Sequence, residues 1–245
     1  MSELYLLRRA IVCCVSCLAL LLAPPALALE LKVDIGVADA PPNVGTSVDE
    51  VQSGFSAFSV VPDFDVDFGN YGPAGKTQVI SGVTIAIAGQ DNGPLFFDDR
   101  GEITHALGDL LEDGVDAAAA ELFVTLTNLP AGLYQVTTYH HRGALRSAGN
   151  PFDIYLNNGS GEALAAADII ASVGAAPATI STATFPLTAT GSPVIIRFEG
   201  GPPFENPISP VLNGFTIGPV PEPSTWKLAA SAALVLGLRA RKRRA

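Results

Sequence analysis

The chain has 245 residues, 48% hydrophobic and 16% charged, with a formal net charge of −10; this excludes an acidic disordered coil, which needs low hydrophobicity and high charge. Cys13, Cys14 and Cys17 are its only cysteines, which excludes a disulfide scaffold. Both ends are basic, while residues 30–220 hold 6 basic and 22 acidic residues, a balance that repels phosphate backbones and excludes nucleic acid as a partner.

Arg8 and Arg9 precede an apolar run from Ala10 to Leu22, followed by Pro24, Pro25 and Ala26-Leu27-Ala28. A positive start, a short apolar stretch and a small-x-small site make residues 1–28 a secretory signal peptide, cleaved after Ala28 and handled by the Sec translocon. Cleavage removes every cysteine. The mature chain then has no disulfide and no thiolate, and its stability must come from its core.

From Leu31 onward, short alternating runs recur between Gly, Pro, Asn and Asp. Leu31, Val33 and Ile35 point one way, with Lys32 and Asp34 on the opposite, wet face. Phe64, Val66 and Phe68 alternate with Asp63, Asp65 and Asp67. Further runs are 83–88, 122–127, 133–140, 152–156, 194–198 and 215–217. Period-two alternation buries one face of an antiparallel sheet, and many short strands predict a sandwich or barrel. Asn157-Asn158-Gly159 predicts a hairpin turn, because Asn and Gly tolerate positive φ; Asn128 to Gly132 is expected to join its two strands in the same way. The Asn158-Gly159-Ser160 glycosylation sequon is read as part of that turn. Two stretches suggest helix: 105–113, ended by Gly114, and the Ala-rich 163–171, whose reading is ambiguous.

Three phrases carry a fold-level likeness: Val51-Gln52-Ser53-Gly54-Phe55, Leu129-Pro130-Ala131-Gly132-Leu133-Tyr134 with Thr137-Thr138-Tyr139-His140-His141 after it, and Leu212-Asn213-Gly214-Phe215-Thr216-Ile217. The body resembles the galactose-binding-like and malectin-like jelly rolls. The resemblance implies an all-β antiparallel sandwich over 29–218, with one or two short helices, and an architecture used by carbohydrate-binding modules. It brings no ligand motif.

The site candidates each have two readings. Asp63, Asp65 and Asp67 are a solvated strand face, or three carboxylates able to hold Ca²⁺; no other cofactor is suggested. Asp98-Asp99-Arg100 makes a loop ion pair. With Glu112, Asp113 and Asp116 it alternatively offers paired acids for glycoside hydrolysis. Tyr139, His140, His141 and Arg142, with Arg146 nearby, form the best ligand-site candidate. Adjacent side chains on a strand point to opposite faces, so either one histidine lines the core and the other is wet, or both lie in a loop that contacts a sugar. His105 reads as structural. No Gly-x-Ser-x-Gly elbow, Walker loop or dinucleotide fingerprint occurs.

The C-terminus reads Pro221-Glu222-Pro223, then an apolar stretch from Trp226 to Leu238 interrupted by Lys227, then Arg239, Arg241, Lys242, Arg243 and Arg244. A proline hinge, an apolar helix and a basic stop hold a chain in a membrane with its cations in the cytoplasm. Residues 219–245 resemble the PEP-CTERM sorting signal of Gram-negative bacteria. That resemblance implies an exosortase-type transpeptidase as partner, transient anchoring in the inner membrane, removal of the transmembrane helix, and delivery to the cell surface or extracellular matrix. Taken together, the expected protein is exported, non-catalytic and a candidate binder of extracellular polysaccharide. A secreted hydrolase and a structural envelope component without a ligand are the alternatives. With Trp226 in the tail the body has no Trp, leaving Tyr71 and Tyr139 as stacking candidates.

Overall fold

The computed structural model describes residues 29–37, 51–60, 71–72, 75–92, 95–99, 103–117, 121–143, 150–200 and 210–220. The leader, Asp63, Asp65 and Asp67, Arg100, Arg146, the Pro221-Glu222-Pro223 triplet and the basic tail lie outside these residues. In chain order the strands are β1 (Leu31–Val37), β2 (Ser56–Val60), β3 (Tyr71–Gly72), β4 (Gly75–Ile80), β5 (Val83–Gly89), β6 (Leu95–Asp99), β7 (Asp113–Ala117), β8 (Glu121–Thr127), β9 (Gly132–His140), β10 (Phe152–Asn157), β11 (Glu162–Ile169), β12 (Ser181–Ala189), β13 (Val194–Glu199), β14 (Val211–Leu212) and β15 (Gly214–Pro219). A 3₁₀ turn (Gln90–Asn92) and one short helix, α1 (Gly108–Glu112), complete the elements among the described residues.

Two sheets form the sandwich. One has the order β12-β9-β15-β1-β2 and the other β11-β10-β13-β8-β5-β4. All their pairings are antiparallel except β1 with β2. A third sheet, β14-β7-β6-β3, adjoins them. The core lies between the two large sheets: Leu31, Val33, Ile35, Val136, Phe185 and Phe215 from one meet Ile85, Val124, Leu126, Ile154, Ile196 and Phe198 from the other. Each such burial stabilises by roughly 1.5–3 kcal/mol. The fold is thus the expected all-β antiparallel sandwich of jelly-roll type.

The edges are managed locally. β11 and β12, the outer strands of the two sheets, lie against each other. Pro186, which lacks a backbone donor, sits on the edge strand β12, where a missing ladder bond costs least. On the opposite side, Gln78 Nε2 donates to the Ala57 carbonyl at 3.0 Å and bridges β4 to β2.

Three expectations need correction. The Asn128–Gly132 segment is not a hairpin: β8 and β9 belong to different sheets, so it carries the chain across the sandwich. Its chemistry serves that crossing. Asn128 takes φ 65°, and buried Tyr134 turns back to donate from Oη to the Pro130 carbonyl at 3.0 Å, while Gly132 leaves room for the Tyr134 ring. The Ala-rich 163–171 stretch is strand, not helix, up to Ile169, because pairing with β10 overrides alanine's helical preference. Helix 105–113 shrinks to one turn at Gly108–Glu112, and Asp113 already begins β7. By contrast, the Asn157-Asn158-Gly159 hairpin forms between β10 and β11, with Gly159 at φ 93°. Asn158 there accepts from Ser160 Oγ at 2.6 Å and donates to the Thr188 carbonyl at 3.0 Å.

Candidate functional site

The residues singled out at the end of β9 form a buried joint. His140 and His141 are both 0% exposed. His140 packs edge-on against Phe152 at 5.0 Å and Phe198 at 5.9 Å between ring centres. Its Nδ1 lies 2.6 Å from the Val211 carbonyl. A carbonyl only accepts, so Nδ1 carries the proton and Nε2 accepts from the Thr138 hydroxyl at 2.8 Å. Burial pushes this imidazole down to about 4, against the opposing pull of the Val211 carbonyl.

His141 is fixed by the same logic. Ser172 Oγ donates to the His140 carbonyl at 3.1 Å, so it accepts from His141 Nδ1 at 3.0 Å. The His141 backbone N–H donates to Asn213 Oδ1 at 2.6 Å, and Asn213 Nδ2 donates to the Leu111 carbonyl at 3.3 Å. Asn213 also joins β1 to β9, through Ile35 N–H to its carbonyl and its own N–H to the Tyr139 carbonyl. Gly214 follows because a Cβ there would overlap the Val33 carbonyl oxygen and Leu110 Cδ1. The Leu212-Asn213-Gly214 phrase is therefore a knot tying helix, sheet and β9 together.

This corrects the reading of the histidine pair as a sugar-contacting loop. His140 is a core residue, and His141 is enclosed as well. Tyr139 stays partly exposed and meets Phe55 edge-on at 6.2 Å. Arg142 N–H donates to the Ser172 carbonyl. Asp34, expected on a wet face, is buried at 3% exposure, because the 51–55 segment covers it and Gln52 N–H donates to its Oδ2 at 2.7 Å. Glu112 reaches back to accept from the Ile103 N–H at 3.0 Å, a structural use of an acid proposed for catalysis. Asp116 lies in register with Phe96 on β6 and Val211 on β14. Among the described residues no group of three or more His, Cys, Asp or Glu is placed to hold a metal ion.

A different surface gathers functional chemistry. On the outer face of the six-stranded sheet, Ala88, Phe123, Arg197, Tyr155 and Leu164 stand in register across β5, β8, β13, β10 and β11. Strand spacing of about 4.8 Å puts Phe123 and Leu164 roughly 14 Å apart. Arg197 stacks on the Tyr155 ring, 4.3 Å from its centre. Its Nε and Nη2 clamp Glu162 at 2.9 and 2.7 Å, and its Nη1 reaches Glu121 at 2.6 Å and Glu199 at 2.8 Å. The clamp on Glu162 raises the guanidinium's proton affinity further and holds the Glu162 carboxyl below its usual range. Burial, then the nearby Glu199 and Asp153 charges, raises the Tyr155 phenol. One row over, Asp153, Glu199 and Glu121 face one another directly. Like charges in register destabilise a sheet, and among the described residues Arg197, 14% exposed, offsets them through Glu121 and Glu199.

Sequence reasoning missed this row. The alternation of 152–156 and 194–198 does place Tyr155 and Arg197 on solvent faces. Only the register of four strands brings residues 123, 155, 164 and 197 together.

No family model matches the chain, and no curated protein matches it. Similar solved structures include a chain from the crystal structure of the plant peptide RALF23 in complex with FER and LLG2, at 10% identity and TM-score 0.42. That match covers 79% of this chain but 40% of the other, so this chain spans less than half of it. A family 35 carbohydrate binding module from Clostridium thermocellum matches at 11% identity and TM-score 0.35, over 60% of this chain and 98% of the module. A CBM35 from Paenibacillus barcinonensis matches at 15% identity and TM-score 0.32, over 58% and 96%. Likeness at this level says nothing about a ligand.

Proposed function

We propose that this is an exported, non-catalytic protein of the bacterial surface or extracellular matrix, whose sandwich binds polysaccharide on the outer face of its six-stranded sheet. The observation that carries the reading is the Phe123–Arg197–Tyr155–Leu164 row: two aromatic rings and an exposed Leu set in line among carboxylates. Sugar rings need this mixture, with apolar C–H faces against aromatic rings and hydroxyls against charged acceptors. A row of roughly 14 Å suits several linked sugars rather than one. Glu121, Glu162 and Glu199 are held by Arg197, which suits binding and not proton transfer. Export follows the leader of residues 1–28, and residues 219–245 anchor the chain until an exosortase-type transpeptidase releases it.

The test is a glycan array probed with the exported protein and with Phe123→Ala and Tyr155→Ala variants. Loss of one stacking ring is expected to weaken retention of a polysaccharide by about tenfold, on the order of 1.4 kcal/mol. Retention unchanged in both variants would move the site elsewhere, and no retention of any glycan would favour a structural role.

A further inference from the structure

We infer that the ligand class of this face is a cationic amino-sugar polysaccharide, a polymer carrying free ammonium groups; this rests on the polysaccharide-binding reading above. Arg197 is the sole cation among the described outward-facing residues of the six-stranded sheet. Its guanidinium is already spent, with Nε and both Nη atoms on Glu121, Glu162 and Glu199. A uronic-acid polymer would bring carboxylates to a surface with no free donor of positive charge, beside Asp153, Glu199 and Glu121. Like charges at that range repel.

An ammonium group meets the opposite situation. Glu199 has a side chain 41% exposed, takes one charge-assisted contact from Arg197 and accepts from the Tyr155 hydroxyl, which places its carboxylate beside that ring. Asp153, its register partner, spends Oδ1 on the Asp168 N–H at 3.0 Å. Together they offer two adjacent carboxylates with remaining acceptor capacity, one row from Tyr155. A sugar ring lying on Tyr155 and Leu164 would present its amine to this pair. The acids are unevenly matched by cations here, and the ammonium removes the imbalance. The aromatic row confers affinity for a pyranose chain, and the acid row selects its charge.

The experiment uses the exported protein and three probes: chitosan, N-acetylated chitin oligomers and polygalacturonate, each at low and high salt. Chitosan is expected to bind about tenfold tighter than the acetylated oligomers at low salt, an advantage that salt removes, and polygalacturonate is expected not to bind. An acidic body attracts any polycation, so the variant pair decides. The Asp153→Asn/Glu199→Gln protein should lose most of the chitosan preference while keeping its binding to the acetylated oligomers. The Asp91→Asn/Asp109→Asn protein, with the same charge change elsewhere, should keep it. Equal loss in both variants would overturn the inference as bulk electrostatics, as would tighter binding of polygalacturonate. Either result leaves the polysaccharide reading standing if Tyr155→Ala still weakens retention. Failure of every glycan to bind would remove both.

Discussion

Acidification from pH 7 to 4 is expected to strip the sandwich of roughly 3 kcal/mol through His140 alone. The imidazole is wholly buried, and its folded-state value of about 4 lies below the ordinary 6.5. As pH falls, the unfolded chain takes up the proton first. The stabilisation is therefore complete above about pH 6.5 and declines progressively until about pH 4. Two and a half units at about 1.36 kcal/mol each give the figure. The geometry explains why the charged form is disfavoured: protonation would make Nε2 a donor to Thr138 Oγ1, whose own hydrogen must then turn to the Ala183 carbonyl, 3.5 Å away. Glu162, held low by Arg197, contributes mainly below this window. Urea unfolding of the protein at several pH values between 7.5 and 4 measures the loss. His140→Asn keeps a donor toward Val211 but does not titrate. It should be less stable at pH 7, and its pH-dependent loss should be smaller by roughly 3 kcal/mol. Equal losses in wild type and variant would refute the argument.

Residues 30–220 alone, in reductant and chelator, should give a β-type circular dichroism spectrum and a cooperative melt; a helical spectrum or no transition would contradict the fold. Gly214→Ala should destabilise by about 1–3 kcal/mol through overlap with the Val33 carbonyl and Leu110, read as a lower urea midpoint. No turnover of common glycosides or esters is expected from the purified protein, and turnover abolished by Glu199→Gln would make it a hydrolase. Mass spectrometry of the native protein should find no peptide from residue 228 onward, and replacing Pro221-Glu222-Pro223 with alanines should leave the whole tail attached in the inner membrane.

The strands were legible because burial of one sheet face imposes a two-residue period that Val83–Gly89, Glu121–Thr127 and Gly132–His140 all show. What stayed hidden depends on distant partners. Asn128 to Gly132 has the chemistry of a hairpin, and only the sheet assignment of β8 and β9 makes it a crossing. Asp34 is buried by residues 51–55, which alternation within β1 cannot register. The histidine pair drew attention because titratable groups at a strand end suit a site, yet Val211, Ser172 and Asn213, which enclose it, lie 31 to 72 positions away in the chain. The outer row was hidden for the same reason: it exists only once β8, β10, β11 and β13 pair in one register.

The central claim, that polysaccharide lies across the outer face of the six-stranded sheet, is tested most directly by chemical-shift mapping of the protein titrated with chitosan oligomers. The account predicts perturbations concentrated at Phe123, Tyr155, Leu164 and Glu199, with Tyr139 and Arg142 unmoved. Perturbations centred on Tyr139 and Arg142, with the outer row silent, would contradict it.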